Sequence, residues 1–287
     1  MSRRAGVRRS PRTPARSPPF ERASPMNTPA HTTVMDLFRL DGNAALVTGA
    51  SRGLGRALAI ALAEAGADIL AVDIGDLDQV AKEVRARGVH CATRTADLSN
   101  LSPDTAAELI SWAKAELRPP TILVNNAGII RRGPATETTP SDWSAVLDLN
   151  LTTPFLLSQA FAQAALDDNA AASIINIASI NSFQGGMEVP SYAASKHGIL
   201  GLTRALANEW APQRIRVNAI APGYMETEFT AAHREDPARA ENMLRRIPAG
   251  TWGRPEDLAG AAVFLASAAS AYVTGTALSV DGGWLSR

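Results

Sequence analysis

The 287-residue sequence has little cysteine, little histidine and no net charge. Because Cys91 is its single cysteine, a disulfide-stabilised scaffold is excluded, and we expect the protein to work in a reducing cytoplasm. The four histidines (His31, His90, His197 and His233) show no metal-ligand spacing with one another or with Cys91, so we expect no metal site.

Long hydrophobic runs are also missing. No apolar segment follows the N-terminal arginines, which excludes a secretory signal peptide. Residues 259–280 carry no charge and approach the length of a membrane span. However, Ser267, Ser270 and Thr274 interrupt this stretch, and Val273-Thr274-Gly275 is typical of a turn. We therefore predict a helix followed by a short strand, and no membrane partner.

The zero net charge combines two unlike parts. Residues 1–35 contain seven arginines, one glutamate and six prolines, a formal charge of +6, which leaves −6 for residues 36–287. A segment so poor in large apolar side chains is predicted to be a disordered leader. A solvated tail, or a start codon placed ahead of a true start at Met26 or Met35, is favoured over a nucleic-acid-binding arm. The acidic remainder predicts no nucleic-acid partner.

Short apolar runs alternate with helical patterns from Ala44 to Val280. Strands are predicted at 44–48, 69–72, 89–93, 122–124, 173–177, 216–220 and 277–280. Helices are predicted from Leu54 to Gly66, up to Gly88, from Ser102, from Thr139 toward Leu166, over 192–210 and from Pro255. Continuous apolar strands are typical of parallel sheets covered on both faces. We therefore predict an α/β fold, a single-domain Rossmann-type doubly wound parallel sheet of about seven strands with helices on both faces, over residues 36–287.

A glycine-rich segment, TGASRGLG, occupies residues 48–55 between the first strand and the first helix. A pyrophosphate bound there would meet free backbone N–H groups and the helix dipole. The candidate cofactor-binding residues of this segment are Gly49, Ser51, Arg52, Gly53, Leu54 and Gly55.

The next strand ends at Asp73. A carboxylate there can accept the ribose hydroxyls of NAD and repels the 2′-phosphate of NADP, whereas Arg52 could pair with that phosphate. We expect NAD as the cofactor, with NADP as the alternative.

Polar side chains with catalytic chemistry follow the later strands. Tyr192 and Lys196 lie four residues apart, hence on one face of a helix, and a nearby ammonium favours the phenolate form of a tyrosine. Ser179 and the segment Asn125-Asn-Ala-Gly128 each stand at the end of a predicted strand. Ligands bind at the carboxyl ends of strands in such sheets, so we expect these residues to share one site.

Together these motifs resemble those of the short-chain dehydrogenase/reductase family, from about Leu40 to Trp284. The matching segments are TGASRGLG (48–55), Asp97-Leu98, NNAG (125–128), Asn150 within LDLNL, Ser179, YAASK (192–196), and Pro222-Gly223 with Thr227. The resemblance implies an NAD-dependent oxidoreductase acting on CH–OH groups. It also implies a homotetramer formed through the two long helices around Asn150 and over residues 192–210.

The resemblance further implies a role for each residue. Tyr192 would be the general acid/base, Lys196 would lower its pKa and bind the nicotinamide ribose, and Ser179 would hold the substrate oxygen. Asn150 would anchor a water molecule that relays protons from Lys196. The remaining cofactor residues would be Asp97 and Leu98 at the adenine, Asn125 and Ala127 at the central strand, Pro222 and Gly223, and Thr227 at the carboxamide.

Five segments carry a narrower resemblance: NNAGIIRRGPA (125–135), SFQGGMEVPSYAASK (182–196), NAIAPGYMETEFT (218–230), RIPAGTWGRPEDL (246–258) and VDGGWLSR (280–287). They resemble the loops of a group in this family, the 2-deoxy-D-gluconate 3-dehydrogenases, which also act on C5 of 2-dehydro-3-deoxy-D-gluconate. This resemblance implies a sugar-acid substrate. Arg131 and Arg132, directly after NNAG, are candidates for binding its carboxylate. Gln184 and Glu188 are candidates for its hydroxyls, residues 226–246 are predicted to form a mobile lid, and His197 is interpreted as a packed surface residue.

Three other functions stay open at this point. A 3-oxoacyl-carrier-protein reductase would share every catalytic residue and use NADPH, and a gluconate 5-dehydrogenase would use NADP(H). The third is a non-catalytic NAD-binding regulator.

Overall fold

The apolar runs of the sequence form one seven-stranded sheet in the computed structural model, which describes residues 33–231 and 237–287. The strands are β1 (Ala44–Thr48), β2 (Asp68–Asp73), β3 (Cys91–Thr95), β4 (Ile122–Asn125), β5 (Ala172–Ile177), β6 (Ile215–Pro222) and β7 (Ala277–Val280). Their order is β3-β2-β1-β4-β5-β6-β7, and every neighbouring pair is parallel. The predicted parallel sheet is confirmed.

Helices cover both faces of this sheet. They are α1 (Gly53–Glu64), α2 (Asp78–Arg85), α3 (Pro103–Glu116), α4 (Pro140–Leu147), α5 (Thr153–Asp167), α6 (Pro190–Trp210), α7 (Pro237–Leu244) and α8 (Ala259–Ala266). One core lies under α1, α2 and α8 and contains Leu58, Val80 and Leu265. The other lies under α3, α5 and α6 and contains Leu109 and Phe161. The fold is therefore doubly wound, as predicted.

Two elements differ from the sequence prediction. Strand β3 begins two residues later than predicted, because Cys91 pairs with Ile69 in the sheet and the Asp68 carboxylate accepts the N–H of His90 just outside it. The helix predicted from Thr139 toward Leu166 is interrupted by a π-helical turn, Asp148–Thr152, which separates α4 from α5. Hydrophobic periodicity alone does not reveal a turn that contains one extra residue.

Several predictions concern the ends of the chain. The leader over residues 1–35 and the start at Met26 fall almost wholly outside the described residues; Met35 opens a short 3₁₀ turn and is largely exposed. The uncharged stretch 259–280 forms α8 and β7, separated by a turn in which Gly275 has φ +75°. Across the described ranges, no helix combines the length and the apolar character needed to cross a membrane.

The strand order places the carboxyl ends of β1 and β4 side by side, although their crossover connections run to opposite sides of the sheet. Open α/β sheets bind ligands in the crevice formed at such a switch point. The motifs predicted to act together follow β1, β2, β4, β5 and β6, so the topology brings them to one edge of the sheet.

Candidate active site

The turn between β1 and α1 is packed so tightly that it needs glycine. Gly49 has φ +65°, and a Cβ on it would lie 2.8 Å from Asn126 Nδ2 and 2.9 Å from Ala127 Cα. A Cβ on Gly55 would lie 2.0 Å from the carbonyl oxygen of Gly49. Because no side chain caps the start of α1, its first N–H groups remain available to an anion.

A cavity of about 380 Å³ opens at this edge of the sheet. The predicted residues that line it are Gly49, Arg52, Gly53, Leu54, Gly55, Asp73, Asp97, Leu98, Ala127, Ser179, Tyr192, Lys196, Pro222, Gly223 and Thr227. The glycine loop and the candidate catalytic residues therefore face one space. Of the predicted set, Ser51, Asn125, Asn150, Arg131, Arg132, Gln184 and Glu188 are not part of its lining.

Asp73 is held rigidly at the end of β2. Its two carboxylate oxygens accept the N–H groups of Ser51 and Gly75, each at 2.9 Å. Burial acts to raise the pKa of this carboxyl, but the hydrogen bonds from Gly75 and Ser51 outweigh it, so the pKa is lowered. Ser51 thus supports the cavity by positioning Asp73 rather than by lining it. The Asp73 carboxylate carries a full negative charge at neutral pH and faces the cavity.

Beside this carboxylate, the pair Asp97-Leu98 follows β3. Leu98 is buried and its carbonyl oxygen accepts the hydroxyl of Thr153 at 2.7 Å, whereas Asp97 is exposed. The Asp97 carboxylate accepts the N–H of Ser99 at 2.8 Å, and that bond lowers its pKa. The pair therefore presents an apolar side chain and a charged one next to each other at the cavity.

The two asparagines after β4 point in different directions. Asn125 is buried in the sheet, where its Nδ2 donates to Asn176 Oδ1 at 2.9 Å and to Ser158 Oγ at 3.0 Å. Asn126, which the sequence reasoning did not single out, lines the cavity, and its Nδ2 donates to the carbonyl oxygens of Thr48 and Gly49. Successive side chains of a strand alternate between faces, a signal that could have identified Asn126.

Ser179, Tyr192 and Lys196 meet at the carboxyl end of β5. Tyr192 and Lys196 lie on α6, with the Lys196 Nζ 5.6 Å from the centroid of the tyrosine ring. Nζ donates to the carbonyl oxygen of Ile177, the last residue of β5, at 2.7 Å. Ser179 is hydrogen-bonded to Tyr192 and caps the short turn that follows β5. Three of the four predicted catalytic side chains are therefore brought together.

Electrostatics at this cluster differ from the prediction. Burial raises the pKa of the Tyr192 phenol, and the influences that oppose it are the Ser179 hydrogen bond and the charge of Arg132. Burial lowers the pKa of Lys196 to about 8. The expected lowering of the Tyr192 pKa is thus wrong in direction for this structure, because burial of the phenol outweighs the influences that lower its pKa.

Asn150 lies in the π-helical turn and is buried behind the cavity. Its Oδ1 accepts the N–H of Ile129 at 2.8 Å, and its Nδ2 donates to the Ile129 carbonyl at 2.9 Å and to Ser195 Oγ at 3.2 Å. Ser195 in turn donates to the carbonyl oxygen of Tyr192 at 2.8 Å. Asn150 therefore links the loop after β4 to the helix that carries Tyr192, and both of its N–H donors are engaged within the protein.

The two arginines after NNAG have different surroundings. The Nε of Arg131 pairs with the Asp142 carboxylate at 3.6 Å, on the side of α4. The charge of Arg132 instead acts on the hydroxyls of both Tyr192 and Tyr224. Among the ion pairs of residues 33–231 and 237–287, none involves Arg132. Arg132, and not Arg131, is thus the member of the pair whose charge opposes the rise in the pKa of Tyr192.

Other side chains predicted for the substrate lie on the loop before α6. Gln184 is half-buried and Glu188 is exposed. Glu188 has φ +59°, and its carbonyl oxygen accepts the N–H of Gly133 at 2.9 Å, so the loop is joined to the loop of Arg132. His197 is exposed, and its Nδ1 lies 2.9 Å from the Ala193 carbonyl oxygen of its own helix.

An aromatic wall next to the site was not predicted. Tyr224 packs edge-on against Trp252 and Trp284, with ring centroids 5.5 and 4.8 Å apart. The guanidinium of Arg246 lies 4.1 Å from the centroid of Trp284. Burial raises the pKa of Tyr224, while the charges of Arg246 and Arg132 act in the opposite direction. A partly buried tyrosine packed against two tryptophans thus follows Pro222-Gly223 in the chain.

Two further predictions are only partly covered by the structure. Of the predicted lid over 226–246, the structure describes a 3₁₀ turn at Glu228–Thr230 and helix α7, while residues 232–236 lie outside it. In the part of the chain that is described, no group of three His, Cys, Asp or Glu side chains could hold a metal ion. His31 and His233 lie outside that part, so the expected lack of a metal site stays a prediction.

Comparison with known proteins agrees with this arrangement. The sequence model of a family described as enoyl-(acyl carrier protein) reductase matches residues 49–285. The chain is 50% identical to a 2-dehydro-3-deoxy-D-gluconate 5-dehydrogenase of Dickeya dadantii over 88% of this chain and 100% of that protein.

Solved structures are similar throughout the same region. The first, described provisionally as a 2-deoxy-D-gluconate 3-dehydrogenase of Agrobacterium tumefaciens with bound NADP, has a TM-score of 0.83 and 49% identity over 88% of this chain and 100% of its own. A gluconate 5-dehydrogenase of Burkholderia cenocepacia in complex with NADP and tartrate has a TM-score of 0.84 and 39% identity, covering 89% of this chain and 100% of that one.

Proposed function

Because the chain belongs to the short-chain dehydrogenase/reductase family and is thus an oxidoreductase that uses a nicotinamide cofactor, we propose that it interconverts a secondary alcohol and a ketone of a sugar acid. The observation that carries this proposal is the placing of Ser179, Tyr192 and Lys196 in the same cavity as the glycine loop. The proposed substrate is 2-dehydro-3-deoxy-D-gluconate or 2-deoxy-D-gluconate, in the breakdown of uronates and pectin.

In the direction of oxidation, Tyr192 accepts the proton of the substrate hydroxyl while Ser179 hydrogen-bonds the same oxygen. The cofactor, when bound, supplies the acceptor for the hydride that leaves the carbon. Lys196 contributes a positive charge that favours the phenolate and a donor for the cofactor ribose. Asn150 positions Tyr192 through Ser195 and fixes the Ile129 loop. Because both side-chain N–H groups of Asn150 are already hydrogen-bonded, a water anchored by Asn150 would bind its backbone.

The acidic group of the substrate is assigned to Arg132, whose charge reaches both Tyr192 and Tyr224. A guanidinium can bind a carboxylate through two parallel hydrogen bonds. The names of the relatives support this assignment: one acts on a gluconate derivative, and another is in complex with tartrate, itself a hydroxy acid. Gln184 and Glu188 are proposed partners for sugar hydroxyls, whereas Arg131 is proposed to stay with Asp142.

For the cofactor we propose NAD in preference to NADP. The rigid carboxylate of Asp73, with its lowered pKa, would repel a 2′-phosphate and accept ribose hydroxyls. Solved relatives that hold NADP weigh against this choice, so both forms must be measured. Asp97 and Leu98 are proposed to flank the adenine, and Pro222, Gly223 and Thr227 to hold the nicotinamide end.

Three statements about the whole protein are proposals of the same kind. Residues 1–35 are a leader outside the catalytic domain 36–287, and the enzyme works in the cytoplasm. It assembles as a homotetramer through α5 and α6. Light scattering of the purified full chain would test the assembly, with a monomer mass contradicting it.

The decisive experiment measures NAD and NADP reduction with 2-deoxy-D-gluconate, gluconate and a 3-hydroxyacyl thioester in parallel, and NADH and NADPH oxidation with 2,5-diketo sugar acids. We expect turnover on the sugar acids and none on the thioester. The variant Tyr192→Phe should bind the cofactor with nearly unchanged affinity and retain less than about a tenth of kcat. Activity on the thioester alone would overturn the substrate proposal, and activity on none of these compounds would favour a regulator.

A further inference from the structure

Arg52 and Glu228 form an ion pair across the mouth of the cofactor cavity. Arg52 belongs to the glycine loop, and Glu228 opens the 3₁₀ turn that follows β6. Both residues line the cavity, and each side chain is 74% exposed. The pair therefore joins two walls between which the dinucleotide would lie, and solvent or a ligand can reach both charges.

The backbone of Arg52 starts next to the adenosine end of the cavity. Its neighbour Ser51 donates its N–H to the Asp73 carboxylate at 2.9 Å. From this position the guanidinium could turn toward Asp73, where the 2′-phosphate of NADP would lie, or toward Glu228. The structure has it on Glu228. A guanidinium paired in this way presents less charge to a phosphate, and the glutamate itself adds repulsion.

We propose that Glu228 determines cofactor choice by drawing Arg52 away from the position of the 2′-phosphate. The inference rests on the proposed use of a nicotinamide cofactor and gives a role to Glu228, which is not among the predicted cofactor-binding residues. Asp73 and Glu228 would disfavour NADP by separate routes: Asp73 repels the phosphate directly, and Glu228 withdraws the cation that would bind it.

The size of the effect follows from the exposure of the pair. An exposed ion pair changes an equilibrium constant by up to about fivefold. Removing the charge of Glu228 should therefore tighten NADPH binding about fivefold, with NADH binding changed by less than about twofold. The gain should require Arg52, because the freed guanidinium is what binds the phosphate.

The test uses direct binding, without turnover. Dissociation constants of NADPH, NADH, adenosine 2′,5′-bisphosphate and AMP are measured by calorimetry on the full chain. The variants are Glu228→Gln, Glu228→Ala, Arg52→Gln and Arg52→Gln/Glu228→Gln. Glu226→Gln is the matched control, since this exposed glutamate lies two residues away and outside the cavity lining.

The inference is supported if both Glu228 variants bind NADPH and adenosine 2′,5′-bisphosphate more tightly but bind NADH and AMP unchanged. In the double variant this tighter binding should disappear. Unchanged NADPH binding in folded Glu228→Gln and Glu228→Ala would overturn the inference. So would equal tightening of all four ligands, the same gain in Glu226→Gln, or a gain that persists without Arg52. If the wild-type chain bound neither dinucleotide, the proposed function would fail, and the inference would fail with it.

Discussion

Lys196 allows the electrostatics of the site to be measured without cofactor or substrate. Its side chain is buried, its Nζ donates to the Ile177 carbonyl at 2.7 Å, and burial lowers its pKa from the ordinary 10.5 to about 8. The folded protein thus holds the lysine proton less strongly than the unfolded chain does. By linkage, the contribution of Lys196 to the free energy of unfolding rises with pH between these two values.

The magnitude follows from the two pKa values. The displacement from 10.5 to about 8 corresponds to a destabilisation of about 3 kcal/mol, present in full below the lower value and gone above the higher one. Between pH 7 and pH 9 the wild-type chain should regain about 1 kcal/mol of this cost. Lys196→Met, a side chain of similar length that does not titrate, should not gain this increment.

Urea unfolding of wild type and Lys196→Met at pH 7, 8 and 9, at one protein concentration, checks this prediction. Other titrating groups act on both proteins, so the informative quantity is the difference between their unfolding free energies. We expect the stability of the wild type relative to Lys196→Met to improve by about 1 kcal/mol from pH 7 to pH 9. A difference that stays constant over this range would show that the pKa of Lys196 is not lowered in the folded protein.

Three further substitutions test other parts of the site. Asp73→Ser should shift the ratio of NADPH to NADH affinity by about tenfold toward NADPH, because it removes a fixed negative charge; an unchanged ratio from binding titrations would contradict the role given to Asp73. Arg132→Gln should raise KM for the sugar acid by about 10- to 100-fold, because it removes a charge-assisted hydrogen bond, whereas Arg131→Gln should change KM little. Equal effects of the two variants in steady-state kinetics would show that the carboxylate assignment is wrong. Gly55→Ala should weaken cofactor binding more than about tenfold and lower Tm, because its Cβ would lie 2.0 Å from a backbone oxygen. Gly260→Ala, whose Cβ would meet nothing within 4 Å, should neither weaken cofactor binding nor lower Tm.

The fold could be predicted because the buried strands are continuous apolar runs. Strands β1, β4, β5 and β6 are buried along their whole length, and β1, β4 and β6 are each bounded by polar residues or glycine. β3 was misplaced because its burial alternates at the edge of the sheet, and its pairing depends on Ile69 and Asp68 of another strand. Periodicity within one segment carries no information about such pairing.

The site could be predicted only as far as motifs mark it. Tyr192 and Lys196 stand at helical spacing and Asp73 at a strand end, so their common location followed from topology. The π-helical turn, Tyr224 and the Arg52–Glu228 pair depend on tertiary packing between segments far apart in sequence. The direction of the Tyr192 pKa shift was also missed, because burial cannot be judged from a motif.

The π-helical turn at Asp148–Thr152 also fixes the rotational phase of α5. Before it Val146 is buried, and after it Leu157, Phe161 and Ala165 repeat every four residues toward the core. Because the turn absorbs one residue beyond the α-helical count, a further inserted residue would not be absorbed and would rotate everything downstream by about 100°, carrying Phe161 from the interior to the surface. Lengthening this segment by a single residue is therefore a change to the core, although the added residue lies at its margin.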